Sequence, residues 1–119
     1  MKIYLNTLLL TTLILLSFNC KKIETPSNTP SCVKSKIREI LKSPPSNPPS
    51  EVWKYQYNGE TVYYFPAKCF DIPSELFNEK CQLSCRPDGG IMGGGDGKCV
   101  DFFNKRSNEE LVWKDSRTP

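Results

Sequence analysis

A chain of 119 residues with ten prolines, seven glycines and six cysteines has room for one small domain. It contains no histidine, which excludes Ser-His-Asp and Cys-His catalysis, histidine-ligated zinc and a histidine pH switch. Sixteen Lys and Arg against thirteen Asp and Glu leave a net charge of +3, too little for a nucleic-acid-binding surface, so no nucleic-acid partner is expected.

Residues 1–19 read as a signal peptide: Lys2 supplies the positive start, and Leu8 to Leu16 form an apolar run too short to span a bilayer. The run is followed by Ser17-Phe18-Asn19-Cys20 and then Lys21-Lys22. A cysteine at this place resembles the lipobox of bacterial lipoproteins, although Asn19 stands where that family prefers a small residue. The resemblance implies cleavage before Cys20, lipid attachment (diacylglycerol and an acyl chain such as palmitate) at Cys20, and a membrane held through that lipid. Lys21-Lys22, in place of an aspartate, implies the outer rather than the inner membrane in a diderm cell. Loss of Lys2 with the signal lowers the net charge from +3 to +2.

Residues 20–30 have little apolar content and carry two prolines, and they read as the lipidated cysteine and a disordered tether. From Ser31 the pattern changes. Val33, Ile37, Ile40 and Leu41 fall on one face of an amphipathic helix, with Ser31 as its N-cap and Pro44-Pro45 ending it. The segment 43–50 (SPPSNPPS) is an extended connector. Val52 to Tyr57 and Glu60 to Phe65 then flank Asn58-Gly59, the preferred pair for a type I′ hairpin turn. The two-residue loop sets Tyr57 opposite Glu60, Tyr55 opposite Val62 and Trp53 opposite Tyr64. Trp53, Tyr55, Val62 and Tyr64 thus share one face, which is assigned to the helix.

Residues 69–85 read as irregular, with a short helical turn over Asp71 to Phe77 capped by Asp71 or Ser74. Residues 86–98 hold six of the seven glycines and form a loop. Cys99 to Phe103 and Leu111 to Trp113 read as two further short strands, with 104–108 as the turn between them. The expected architecture is α+β: one N-terminal helix packed on a small three- to four-stranded antiparallel sheet, disulfide-stapled, with a Gly-rich loop. A single domain is expected over 31–113, with 114–119 as a C-terminal tail.

Three constellations could carry chemistry. The loop 86–98 fails as a phosphate-binding loop, because Met92 stands where Walker A needs glycine and Cys99 replaces the Ser or Thr that would hold magnesium. Asp88, Asp96 and Asp101 are oxygen ligands near a flexible backbone and form a candidate calcium site, the one cofactor the sequence suggests. Tight Asp-Gly turns explain the same residues as structure. Cys81 and Cys85 are separated by three residues rather than the two of a thioredoxin-like site, which favours bridging over redox activity. Five cysteines in the mature chain allow at most two internal bridges, and Cys32, Cys69, Cys81, Cys85 and Cys99 leave the pairing open. The carboxylates Glu75, Glu79, Asp88, Asp96 and Asp101 show no spacing that sets a pair across a cleft, so no catalytic residue is assigned.

The runs VWKYQYNGETVYY, CxxxCxPDGGIxGxGDGKCxDFF and NEELVWKD resemble a family of small bacterial secreted and lipid-anchored proteins of unknown function, with PDGG…GDGKC as the mark. The resemblance implies a single exported α+β domain and no established activity. Members of that family tend to carry two adjacent cysteines where this chain has Cys69-Phe70. That departure implies a free thiol at Cys81 and bridges among Cys32, Cys69, Cys85 and Cys99.

Together these features lead to an expectation of a non-enzymatic, lipid-anchored cell-envelope protein with a binding or structural role toward an envelope or extracellular protein. Its candidate binding loop comprises Asp88, Gly89, Gly90, Gly93, Gly95, Asp96 and Gly97. The alternative is a small inhibitor or calcium-dependent binding module using loop 86–98, and a carboxylate-based hydrolase ranks third.

Overall fold

The computed structural model describes residues 22–69 and 71–119; the signal-peptide and Cys20 expectations lie outside the described residues. In chain order the elements are α1 (Ser31–Leu41), β1 (Glu51–Tyr57), β2 (Glu60–Phe65), β3 (Glu75–Asn78), β4 (Leu83–Cys85), α2 (Phe102–Lys105) and β5 (Ser107–Lys114). The strands form one five-stranded antiparallel sheet in the order β4-β3-β2-β1-β5. None of the helices among the described residues is long and apolar enough to cross a membrane.

The hairpin forms in the register expected, Trp53 with Tyr64, Tyr55 with Val62 and Tyr57 with Glu60. Asn58 and Gly59 both take positive φ, 50° and 78°, as a type I′ turn demands. The helix, however, lies on the other face. Val33 and Ile37 pack with Val52, Tyr63, Phe65, Phe77, Val112 and Trp113. The face bearing Tyr55, Val62 and Tyr64, continued by Leu76 and Cys85 of the neighbouring strands, is covered instead by Phe102 and Cys99, with Trp53 and Tyr57 at its edge. Phe102 is fully buried and meets Tyr55 and Tyr57 edge-on at ring separations of 5.5 and 5.3 Å. The sheet is therefore buried on both sides, which is why four consecutive residues of β2, Val62 to Phe65, are all buried rather than alternating.

Several expectations are corrected. The helix N-cap position is Pro30, with no side-chain cap, and Ser31 is the first helical residue. The 71–77 segment contains no helical turn: Leu76 points to one sheet face and Phe77 to the other, so the apolar pair extends the sheet as β3. Cys99 to Phe103 is not a strand but a turn leading into α2, because the backbone must bend to drive Phe102 under the sheet while Val100 stays exposed. The sheet has five strands rather than three or four.

The ordered part is also longer than 31–113. Ile23 packs on the core containing Val33 and Ile37, Thr29 is buried, and the Thr29 N–H donates to the Pro26 carbonyl at 3.0 Å. At the other end Asp115 is buried, its N–H donates to the Ser50 carbonyl at 2.9 Å, and its carboxylate takes two Arg117 nitrogens. Arg117 in turn donates to the Leu41 carbonyl at 3.2 Å, tying the tail to the end of α1.

The cysteine assignment is reversed at two positions. Cys81 is not free: it is bonded to Cys32, joining the start of α1 to the β3–β4 turn across 49 residues of sequence. Cys85 is bonded to Cys99, closing the base of the glycine-rich loop. Cys69 forms no bridge and is the exposed free thiol among the described residues. The physical reason is placement: α1 packs beside the β3–β4 turn, which brings the Cα atoms of Cys32 and Cys81 to 6.1 Å, within bridging range.

Candidate functional site

The end of β2 and the glycine-rich loop enclose a cleft of about 650 Å³. Its floor is built by Tyr64 on β2, Ser74 just before β3, and Asp88 at the start of the loop. Pro66, Ile72, Ile91 and Met92 give it apolar walls, and Lys68, Cys69 and Asp71 also line it.

The loop that forms one wall is held by its own backbone. The Asp96 carboxylate accepts the Arg86 N–H at 2.9 Å and the Lys98 N–H at 3.0 Å, and the Asp96 N–H donates to the Arg86 carbonyl at 2.9 Å. Those donors hold Asp96 below the ordinary aspartate pKa, the Lys98 N–H contributing most. Gly95 donates to the Gly89 carbonyl at 2.9 Å, and Ser74 donates to the Asp88 carbonyl at 3.1 Å, stitching the loop to the segment before β3. Glycine is needed at two of these places. A Cβ on Gly95 would lie 2.0 Å from the Arg86 carbonyl oxygen, and one on Gly89 would lie 2.8 Å from that of Ile72, both at positive φ. The result is a stiff loop whose tip holds Ile91 and Met92 in solvent, 89% and 93% exposed.

At the floor, the Tyr64 hydroxyl donates to Asp88 Oδ2 at 3.0 Å. Tyr64 Oη also lies 3.3 Å from Ser74 Oγ, which itself accepts the Ala67 N–H at 3.0 Å. A carboxylate only accepts, so the single Tyr64 proton goes to Asp88 and the Ser74 hydroxyl donates to Tyr64. Burial, together with the Asp88 charge, pushes the Tyr64 pKa up to about 12, with the Ser74 hydroxyl pulling the other way. The second Asp88 oxygen, Oδ1, is buried and has no hydrogen-bond partner among the described residues. An orphaned buried acceptor costs about 1–3 kcal/mol unless something donates to it.

The three aspartates read as a candidate calcium site serve separate purposes. Asp88 binds Tyr64, Asp96 closes the loop neck, and Asp101 accepts the Tyr57 hydroxyl and pairs with Lys105 at 2.8 Å. Among the described residues no group of three or more metal-ligating side chains converges. The three aspartates therefore do not form one calcium site: they lie apart, and both oxygens of Asp96 and of Asp101 are already taken by donors of the chain itself. Of the candidate binding loop, Asp88, Gly89, Gly90 and Gly93 line the cleft, whereas Gly95, Asp96 and Gly97 lie at its neck. Of the carboxylates considered for hydrolysis, Asp88 alone lines the cleft, joined by Asp71.

Sequence reasoning missed Ile72, Ser74, Lys68 and Asp71 as cleft residues and placed Tyr64 under the helix. The one available signal was Pro66 and Pro73 bracketing a segment with neither helical nor strand period. Nothing in sequence spacing brings Ser74 to Asp88.

No curated protein and no solved structure matches the chain. A family model described as a domain of unknown function, DUF6970, matches residues 38–115, a span that contains the whole sheet, the cleft and the glycine-rich loop. The chain belongs to the DUF6970 family.

Proposed function

We propose that the protein is an exported bacterial envelope lipoprotein, anchored through a lipid on Cys20, with a non-enzymatic binding role. The anchor is supported by the short apolar run before Cys20 and by Lys21-Lys22 after it, which favours the outer membrane in a diderm cell. The binding role is carried by one observation: a buried Asp88 oxygen with no donor among the described residues, in a residue lining a cleft with apolar walls. A group that answers both is an aliphatic stem ending in a hydrogen-bond donor, such as a lysine or arginine side chain of a partner envelope protein.

The test is in-cell crosslinking from a photoreactive residue at position 72, with the attachment site mapped on the captured partner. The expected result is attachment beside a Lys or Arg, lost in Asp88→Asn while the thermal midpoint of the domain is kept. Recovery of nothing above background, or capture indifferent to Asp88→Asn, counts against this reading.

A second reading is an inhibitor-like module, favoured by the nearly complete exposure of Ile91 and Met92 on a stiff loop. In that case Met92→Ser abolishes capture and Asp88→Asn does not.

A further inference from the structure

The segment read as a tether is almost absent, and this decides how the domain stands relative to a bilayer. Ile23 packs against the core of Val33 and Ile37, so the chain is already part of the folded body three residues after Cys20. At about 3.3–3.6 Å per residue, Ile23 then lies within ~11 Å of Cys20, whereas a free tether of eleven residues would reach ~36 Å. The headgroup layer is itself about 5–8 Å thick on each side of the hydrocarbon core. A folded domain with a radius of gyration of roughly 13 Å cannot stand clear of it on such a leash.

We propose that the face formed by Lys22 to Glu24 and the C-terminal half of β5 rests on the lipid headgroups. This placement rests on the anchoring reading above. The same residues frame a surface furrow of about 610 Å³, lined by Lys22, Glu24, Leu111, Trp113, Lys114 and Ser116. β5 is an edge strand of the sheet, and Leu111 on it is 42% exposed. Apolar side chains flanked by lysines suit the headgroup boundary, where the stems meet acyl carbon and the ammonium groups meet phosphate. Glu24 is the one acid lining the furrow, and Lys114 is already partnered by Glu51 at 3.3 Å. The contact therefore depends on the short leash more than on charge.

The experiment uses the full lipidated chain with Cys69→Ser, so that Ser116→Cys takes the only fluorescent thiol label. It is reconstituted in vesicles of phosphatidylethanolamine and phosphatidylglycerol that carry a nitroxide-headgroup lipid. The control is the same protein with a flexible Gly/Ser insertion of about twelve residues between Lys21 and Lys22, adding a root-mean-square reach of roughly 20 Å. The expected result is severalfold stronger quenching in the native-length chain than in the insertion variant. Equal quenching, with the lipid mass present on Cys20, overturns the placement and leaves the anchor standing. Absence of the lipid mass overturns the anchor and the placement together.

Discussion

Two tyrosines carry much of the polar order at the residue scale. Tyr64 donates to Asp88, and Tyr55 donates to Glu109 at 2.7 Å while accepting from Arg106 at 3.2 Å. The Arg106 guanidinium also lies over the Tyr55 and Phe103 rings, each at 4.8 Å, which holds it in place as a donor. Burial is the main reason both phenols are pushed up to about 12 from 10.0. A raised folded pKa means that the native state keeps protons the unfolded chain has lost. The corresponding stability is complete below pH 10 and disappears as pH rises toward 12. We expect the thermal midpoint to fall steeply over that window, with Tyr55 and Tyr64 ionising near 12 by tyrosinate absorbance and Tyr57 and Tyr63 also above the ordinary phenol value. Tyr64→Phe should remove part of the slope; a midpoint flat to pH 12 would contradict the buried network.

Two devices show at the element scale how a loop-rich chain is kept rigid. The glycine-rich loop depends on Gly95 far more than on Gly97, although both have positive φ. A Cβ at Gly95 meets backbone at 2.0 Å, whereas one at Gly97 meets nothing within 4 Å. Gly97→Ala should cost about 1 kcal/mol in urea unfolding, from φ alone, and Gly95→Ala more than ~2 kcal/mol. Equal costs would mean that the loop neck is not closed as described. The second device is the Cys32–Cys81 bridge. Its 49-residue separation makes it worth about 4 kcal/mol by loop-closure entropy, so the Cys32→Ser, Cys81→Ser pair should lose stability on that order. Non-reducing peptide mapping checks the pairing itself, and a Cys81 peptide recovered alkylated would refute it.

The sheet sits between two unlike covers in the whole molecule, and this arrangement explains which parts of the fold were legible. The hairpin register could be read because Asn58-Gly59 dictates a local turn geometry and a two-residue loop leaves no freedom in pairing. The face assignment could not. Trp53, Tyr55, Val62 and Tyr64 do share a face, but alternation does not say which cover each face receives. Val33 and Ile37 lie opposite Val52, Tyr63 and Phe65, and that choice goes with the docking of α1 beside Cys81. Likewise β3 was hidden because Leu76 and Phe77 are both buried, one on each face, which erases the period of two.

The candidate site divides the same way. The glycine-rich loop was visible from composition, since six glycines in thirteen residues admit no regular element. Its opposing wall was not, because Ile72 and Ser74 reach Asp88 only through the pairing of Pro73 with Gly89, a contact between distant segments. Ile23 and Asp115 extended the domain past both expected ends for a related reason: a lone apolar residue in a proline-flanked stretch looks like tether until the core it joins is known.

By itself, then, the sequence determined an α+β fold, the hairpin with its register, and the existence of an amphipathic helix and of the glycine-rich loop. Each of these follows from local dihedral preference or short-range periodicity. Tertiary structure alone decided the cysteine pairing, the face that takes the helix, the burial of Asp88 beside Tyr64 and the loss of the tether. Each of those depends on which distant segments share the limited surface of a small core, and that competition is settled only when the whole chain packs.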